Sequence, residues 1–151
     1  MSLEHRSGGS FYNIPSKRQL DYNNWIRTMA QLFPTAEVNI RLALDQYING
    51  WLVTNNGIPN AAFCSSWIPG PDWGEGSSVY QPIYRTMMHL YNDRGLAHSR
   101  AGWFFGLLLM DLMIRRSDDW ECWHEEHEPA DSPEGFYYRP RRKPQRQTSQ
   151  D

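Results

Sequence analysis

Cysteine is scarce in this sequence, since Cys64 and Cys122 are the only two among 151 residues. Two cysteines build no disulfide framework, which favours a reducing compartment. Long apolar runs are missing as well: the most apolar stretch, residues 101–114, is too short to span a bilayer, and Asp111 interrupts it. The N-terminus is polar and has no signal-peptide pattern. We therefore expect a soluble intracellular protein without a membrane partner.

The sequence also lacks the motifs that support catalysis. It contains no G-x-S-x-G, no glycine-rich phosphate-binding loop and no convincing Ser/His/Asp or Cys/His set. His98 and Ser99 are neighbours in the chain, and neighbours on a helix do not face each other. We therefore predict that the protein is not an enzyme and that it needs no cofactor.

Strand-like alternation of useful length is missing too, whereas apolar residues recur at helical spacing. Pro34 ends a first helix, Gly50 suits the end of a second, and Gly95 separates a third from a fourth. The fourth helix is apolar on every side from residue 101 to 114, so it should be central and buried. The sequence predicts an all-α single domain of four or more helices.

This helical core is predicted to span residues 16–116, between two tails. Residues 1–15 read as a flexible N-terminal arm. Residues 117–151 read as a C-terminal tail whose only expected structure is a short helix around residues 120–127. The tail holds 8 acidic and no basic residues up to position 138, then 5 Lys/Arg and one Asp after it. An acidic segment followed by a basic one is typical of an interaction tail.

A long aromatic loop, residues 51–73, joins the second predicted helix to the third. It contains three of the seven tryptophans. Loops of this length are usually functional or disordered, and an aromatic composition opposes disorder. Two interpretations stay open: a binding wall or assembly surface, or a loop whose aromatic side chains plug the core.

Two polar features are candidates for a site. Gln81, Arg85 and His89 form a stripe on the third helix that is suited to hold a phosphate while bases stack on the aromatic loop, or is simply a solvated face. Asp111 lies in the apolar fourth helix, where a carboxylate needs a partner unless it marks an exposed edge. The cations considered for it are Arg85 and Arg100, and an Arg85–Asp111 pair would fix a binding groove.

A third candidate is the segment Cys122-x-His124-x-x-His127, which is rich in glutamate. On a helix, His124, His127 and Glu128 would share a face, as in a zinc or iron site. The alternative is a solvated acidic segment with two incidental histidines. No second cluster completes the site, and we predict no bound metal.

Three segments of the chain resemble a known family. They are Leu20-Asp21-Tyr22-Asn23-Asn24-Trp25, then Ile48-Asn49-Gly50 with Asn56-Gly57-Ile58-Pro59-Asn60 and Trp67, and then Gln81-Pro82-Ile83-Tyr84-Arg85-Thr86-Met87-Met88-His89-Leu90 with Asp93. In this order they resemble the coat proteins of flexible filamentous plant viruses, most closely the potyvirus type. The resemblance covers roughly residues 20–105, and the C-terminal lobe of the family is much shortened here.

The resemblance implies a helical core, an RNA groove along a filament, and arms that latch neighbouring subunits. Arg85 matches the family's RNA-contacting arginine. Ile58 stands where the family has a serine, which leaves Ser65 or Ser66 as substitutes, and Asp111 is the nearest choice for the family's aspartate. The residues expected at the RNA are Arg85, Asp111, Gln81, His89, Ser65, Ser66 and Arg100.

The sequence thus favours a coat or nucleocapsid-like protein that forms helical filaments around single-stranded RNA, in the virion or the host cytoplasm. Residues 1–15 and 129–151 would be the arms that bridge subunits, and the basic segment 139–146 would add phosphate contacts. Two alternatives remain: a helical module that binds a protein partner through the aromatic loop, and a small metalloprotein using Cys122, His124 and His127.

Overall fold

A computed structural model of the chain describes residues 3–6, 16–70, 78–124 and 135–141. Within these residues the chain forms four α-helices, four short β-strands and one 3-10 turn. The helices are α1 (Ser16–Leu32), α2 (Ala36–Thr54), α3 (Gln81–Tyr91) and α4 (Arg94–Arg115). The strands are β1 (Leu3–His5), β2 (Phe63–Cys64), β3 (Trp120–Trp123) and β4 (Tyr137–Pro140), and the 3-10 turn is Ser65–Trp67.

Helix α4 is the centre of the core, as its sequence predicted. Every residue from Phe104 to Met110 is buried. The helix begins sharply because Asn92 ends α3 in a left-handed conformation and the Asp93 carboxylate accepts the Leu96 N–H at 2.8 Å. In the described part of the chain, no helix combines the length and apolarity needed to cross a membrane.

The prediction of an all-α fold is wrong, because a mixed sheet packs beside the helices. Its order is β1-β3-β4-β2, with β1 parallel to β3 and the other neighbours antiparallel. The strands are two to four residues long, so even the brief alternation in β3 does not stand out against the helical background. Their pairing joins distant residues, such as Leu3 with Trp120, which local patterns do not reveal.

The two segments predicted as tails supply three of the strands. Strand β1 comes from the predicted N-terminal arm, and β3 and β4 come from residues 117–151. The short helix predicted around residues 120–127 is wrong in its described part, where Trp120–Trp123 is extended and its residues alternate between buried and half-buried. Residues 7–15, 125–134 and 142–151 lie outside the described residues, as do the predictions that fall on them.

One face of the sheet completes the hydrophobic core. Phe63, Trp120 and Tyr138 are completely buried on it. Trp51 of α2 packs against this face, with its ring centroid 5.3 Å from that of Phe63 and 6.0 Å from that of Trp120. The sheet is therefore an integral layer of the fold, and its opposite face is here called the outer face.

Candidate nucleic-acid interface

Three aromatic side chains on the outer face form a continuous group, here called the outer aromatic cluster: Trp67, Trp123 and Tyr137. Trp123 stacks on Tyr137 with ring centroids 5.8 Å apart and an interplanar angle of 14°. Trp67 meets Tyr137 edge-on at 5.8 Å and 87°. Trp67 is 58% exposed, although a tryptophan normally buries most of its surface. The cluster presents aromatic surface to solvent.

Strand geometry explains why these residues share a face. Side chains alternate along a strand, and Cys122 pairs with Tyr138 in register on the inner face. Trp123 and Tyr137, which also pair in register, must then point outward. The 3-10 turn that follows β2 brings Trp67 beside them.

Two arginines lie over this cluster. The guanidinium carbon of Arg6 is 4.4 Å from the centroid of the Trp123 ring, and that of Arg139 is 5.4 Å from it. Both arginines also approach Glu121: Arg139 Nη2 is 2.5 Å from Glu121 Oε1, and Arg6 Nε is 3.9 Å from the same atom. Two cations share one carboxylate, so this group carries a net positive charge that is held against aromatic rings.

A cleft of about 380 Å³ lies at the C-terminal end of β4. It lies between the turn that follows α2 and the strands β3 and β4. Its lining residues include Trp51, Ile58, Arg139 and Arg141. Arg139 Nη1 donates to Asn60 Oδ1 at 3.2 Å across the cleft. Arg139 therefore belongs to both features, and the cleft is continuous with the outer aromatic cluster.

The aromatic loop fits both interpretations in part: some of its side chains pack in the core, and others face solvent or the cleft. Phe63 is buried and Trp51 is half-buried against it, so these two side chains do plug the core. Trp67 instead faces solvent, and Ile58 lines the cleft. Trp73 lies outside the described residues.

The polar stripe on α3 has the geometry of a solvated helix face. Arg85 and His89 are exposed, and Gln81 is half-buried at the start of the helix. Among the residues described, Arg85 makes no hydrogen bond or ion pair, and none of the three lines the cleft. Their assignment to RNA stays a prediction from the resemblance.

The predicted Arg85–Asp111 pair is wrong, because Asp111 has other partners. Its carboxylate accepts from Arg41 Nη1 at 3.0 Å and from Arg115 Nε at 3.1 Å. Arg41 also contacts Glu37 at 3.1 Å and the Tyr22 hydroxyl at 3.3 Å. Asp111 therefore ties α4 to α2 and α1, and it does not orient Arg85.

The remaining predicted residues are held by other parts of the fold. Ser65 is buried, and its hydroxyl accepts the Gly135 N–H at 3.2 Å. The Ser66 hydroxyl lies 3.2 Å from the Cys64 sulfur. The Arg100 guanidinium carbon is 4.8 Å from the centroid of the Trp103 ring. No described contact brings these residues to the α3 stripe, so the predicted set does not form one site.

The described part of the metal candidate is poorly arranged for a metal. Cys122 is fully buried on the inner face of β3, and burial raises the pKa of its thiol to about 12, which opposes the thiolate that a metal requires. His124 stacks on Phe136 with centroids 3.9 Å apart. Among the described residues no group of three His, Cys, Asp or Glu side chains is placed to hold a metal ion. His127 and Glu128 lie outside them.

The buried thiol leads to a prediction about alkaline pH. Because the folded state holds a proton that the unfolded chain releases near pH 9, the stabilisation is complete below pH 9 and is lost between pH 9 and about 12. We expect this group to lower the free energy of unfolding by at most about 1.4 kcal/mol per pH unit in that range. Denaturant titrations at pH 8, 9 and 10 measure the slope.

Cys122→Ala is the matching control for this slope. Burial also raises the pKa values of four tyrosines, which contribute as the pH rises toward 10, where their phenols ionise in the unfolded chain: Tyr22, Tyr47, Tyr80 and Tyr138. The alanine variant should therefore show a smaller slope than the wild type between pH 8 and 9, although its overall stability is lower because of the cavity. An unchanged slope in the variant would assign the pH dependence to another group.

Local sequence patterns did not predict the candidate interface. The residues of the interface come from four separate segments, all of which were predicted as tails or as the aromatic loop: Arg6, Trp67, Trp123, and Tyr137 with Arg139. The one local signal is the alternation in Trp120-Glu121-Cys122-Trp123, which suits a half-buried strand. Comparisons of the chain with family models, with curated proteins and with solved structures found no match.

Proposed function

We propose that this protein binds single-stranded RNA without sequence preference, through the outer aromatic cluster and the arginines beside it. The observation that carries the proposal is the contact of Arg6 and Arg139 with the half-buried ring of Trp123, which stacks on Tyr137 beside the exposed Trp67. Aromatic side chains stack on any base, and positive groups beside them attract the phosphates. This combination is typical of proteins that bind single strands.

The charge of the chain beyond β4 supports the same site. Residues 139–146 contain five Lys/Arg and no acidic residue. This segment begins inside β4 at Arg139, directly beside the outer aromatic cluster. A bound strand that stacks on the cluster would therefore pass near the most basic part of the chain, which adds contacts of the kind that depend steeply on salt.

Assembly into filaments as a coat protein is the finer part of the proposal, and it rests on the sequence resemblance. The arms assigned to subunit bridging are residues 1–15 and 129–151. Leu3–His5 and Tyr137–Pro140 are strands of this chain's own sheet. Bridging between subunits would therefore have to use other residues of the two arms.

Fluorescence anisotropy with labelled single-stranded RNA of two unrelated sequences tests the binding. We expect similar affinities for both sequences. The logarithm of the affinity should fall linearly with the logarithm of the salt concentration, with a slope that corresponds to several released counterions. Electron microscopy of the protein with a long RNA tests the assembly, for which filaments are expected. Binding that is absent, or that does not change with salt, would contradict the proposed function.

Two single-charge variants separate the proposed interface from the site implied by the resemblance. Arg6→Ala removes a cation from the Trp123 ring, whereas Arg85→Ala removes an exposed cation from α3. Each lowers the net charge by one, so general attraction to RNA falls equally. We expect Arg6→Ala to reduce RNA affinity more than Arg85→Ala, and the reverse order would favour the α3 stripe.

A further inference from the structure

The cleft beside β4 has the chemistry of a pocket for a single nucleobase. We propose that it accepts one base turned out of the strand that binds the outer face, with the phosphate of that nucleotide held at its rim. This inference rests on the proposed function, because it extends the same interface. Its volume of about 380 Å³ lies in the lower part of the range, roughly 300–1,000 Å³, that small-molecule sites occupy.

One wall of the cleft is aromatic and apolar. Trp51, Leu52 and Ile58 contribute to it. The indole of Trp51 is fixed from behind by Phe63 at 5.3 Å and Trp120 at 6.0 Å, so stacking on it would cost little side-chain entropy. A flat, held aromatic ring beside apolar side chains is the usual support for an extruded base.

Three asparagines supply the polar part of the cleft. The Asn55 side chain donates to the Trp51 carbonyl oxygen at 2.9 Å, which leaves its amide oxygen to accept. Asn60 accepts from Arg139 at 3.2 Å, which leaves its amide nitrogen to donate. Asn56 has no side-chain hydrogen bond within the described part of the chain. Both kinds of group that a base edge requires are therefore present, since asparagine is both donor and acceptor.

Two arginines lie at the rim of the cleft. Arg139 and Arg141 line it together with Glu121, and Arg141 Nη1 lies 3.1 Å from Glu4 Oε1 at the surface. Guanidinium groups hold phosphate oxygens in a forked, charge-assisted contact. Arg139 contacts both the Trp123 ring and Asn60 in the cleft. The next nucleotide of an RNA strand that stacks on the outer aromatic cluster would therefore lie at this rim.

Adenosine 5′-monophosphate is a probe that tests the cleft separately from the outer face. We expect weak binding to the full chain, roughly millimolar, because one stacked base is worth only a few kcal/mol. Isotope-labelled protein titrated by NMR measures it. The cleft variant is Ala61→Leu, which places a larger aliphatic side chain at a half-buried lining position and adds neither an aromatic ring nor a charge. Arg85→Ala is the control outside the cleft.

Ala61→Leu should weaken the binding of adenosine monophosphate by at least about tenfold, while an oligonucleotide that stacks on the outer face loses only a few-fold. Arg85→Ala should leave the monophosphate affinity unchanged. Monophosphate binding that Ala61→Leu leaves unchanged overturns the inference. So does a wild-type protein that binds oligonucleotides but not the monophosphate, although the proposed function then stands. Failure of both ligands to bind overturns the proposed function itself.

Discussion

Replacement of Phe63 by alanine is expected to lower the free energy of unfolding by about 3–5 kcal/mol, as for other fully buried aromatic residues. Phe63 is completely buried where β2 meets the helices. Its ring stacks on Tyr138 at 5.6 Å and contacts Tyr47, Trp51 and Trp120 within 6 Å, so its removal leaves a cavity that four other rings line. Guanidinium denaturation followed by far-UV circular dichroism measures the change.

Trp67→Ala is the matched control for this prediction. Trp67 lies four residues further along, is larger than Phe63, and is 58% exposed. We expect it to lower stability by no more than about 1 kcal/mol, because little apolar area returns to water and one ring contact is lost. Equal losses in the two variants would contradict the division of the aromatic loop into a core side and a solvent side.

The same Trp67→Ala substitution is expected to have the largest effect on RNA affinity among single changes to exposed residues. Loss of one aromatic platform costs about 1–3 kcal/mol of binding, or about 5- to 150-fold in the dissociation constant. The substitution changes no charge, so the dependence of affinity on salt should keep its slope. Anisotropy titrations at two salt concentrations measure both quantities.

Two further variants make this test specific. Trp67→Phe retains an aromatic face and should recover most of the affinity. Leu42→Ala removes an exposed apolar side chain from α2 and should leave RNA binding unchanged. A loss with Trp67→Ala that Trp67→Phe does not recover would mean that stacking is not what Trp67 contributes.

The helical part of the fold was predictable because its signals are local. The apolar run of α4 predicted a buried central helix, and the residues of α4 from Phe104 to Met110 are indeed buried. Pro34 forecast the end of the first helix, and α1 ends at Leu32. Apolar periodicity, proline and capping residues act within one or two helical turns, so a short stretch of sequence is enough to recognise them.

The sheet was not predictable because nothing local specifies it. Strand β2 has two residues, and β1 has three that pair with residues more than a hundred positions away. Strand β3 does show alternation, yet the histidines and acidic residues that follow it suggested a short helix or a solvated acidic segment. The segment forms a strand because the tertiary structure buries Trp120 and Cys122 on one face of the sheet.

The candidate site was missed for the same reason. The sequence pointed to Arg85 and Asp111 because they lie in or next to recognisable segments. The structure pairs Asp111 with Arg41 on a different helix, and it gathers Arg6, Trp123 and Arg139 from both ends of the chain. Residues that meet only through strand pairing leave no spacing signal in the sequence.

Ultraviolet crosslinking of the protein to single-stranded RNA, with the attachment residues identified by mass spectrometry, tests the location of the interface most directly. The proposed site predicts crosslinks at Trp67, Trp123 or Tyr137 on the outer face of the sheet. Crosslinks confined to α3, around Tyr84, Arg85 and His89, with none on the sheet, would contradict it.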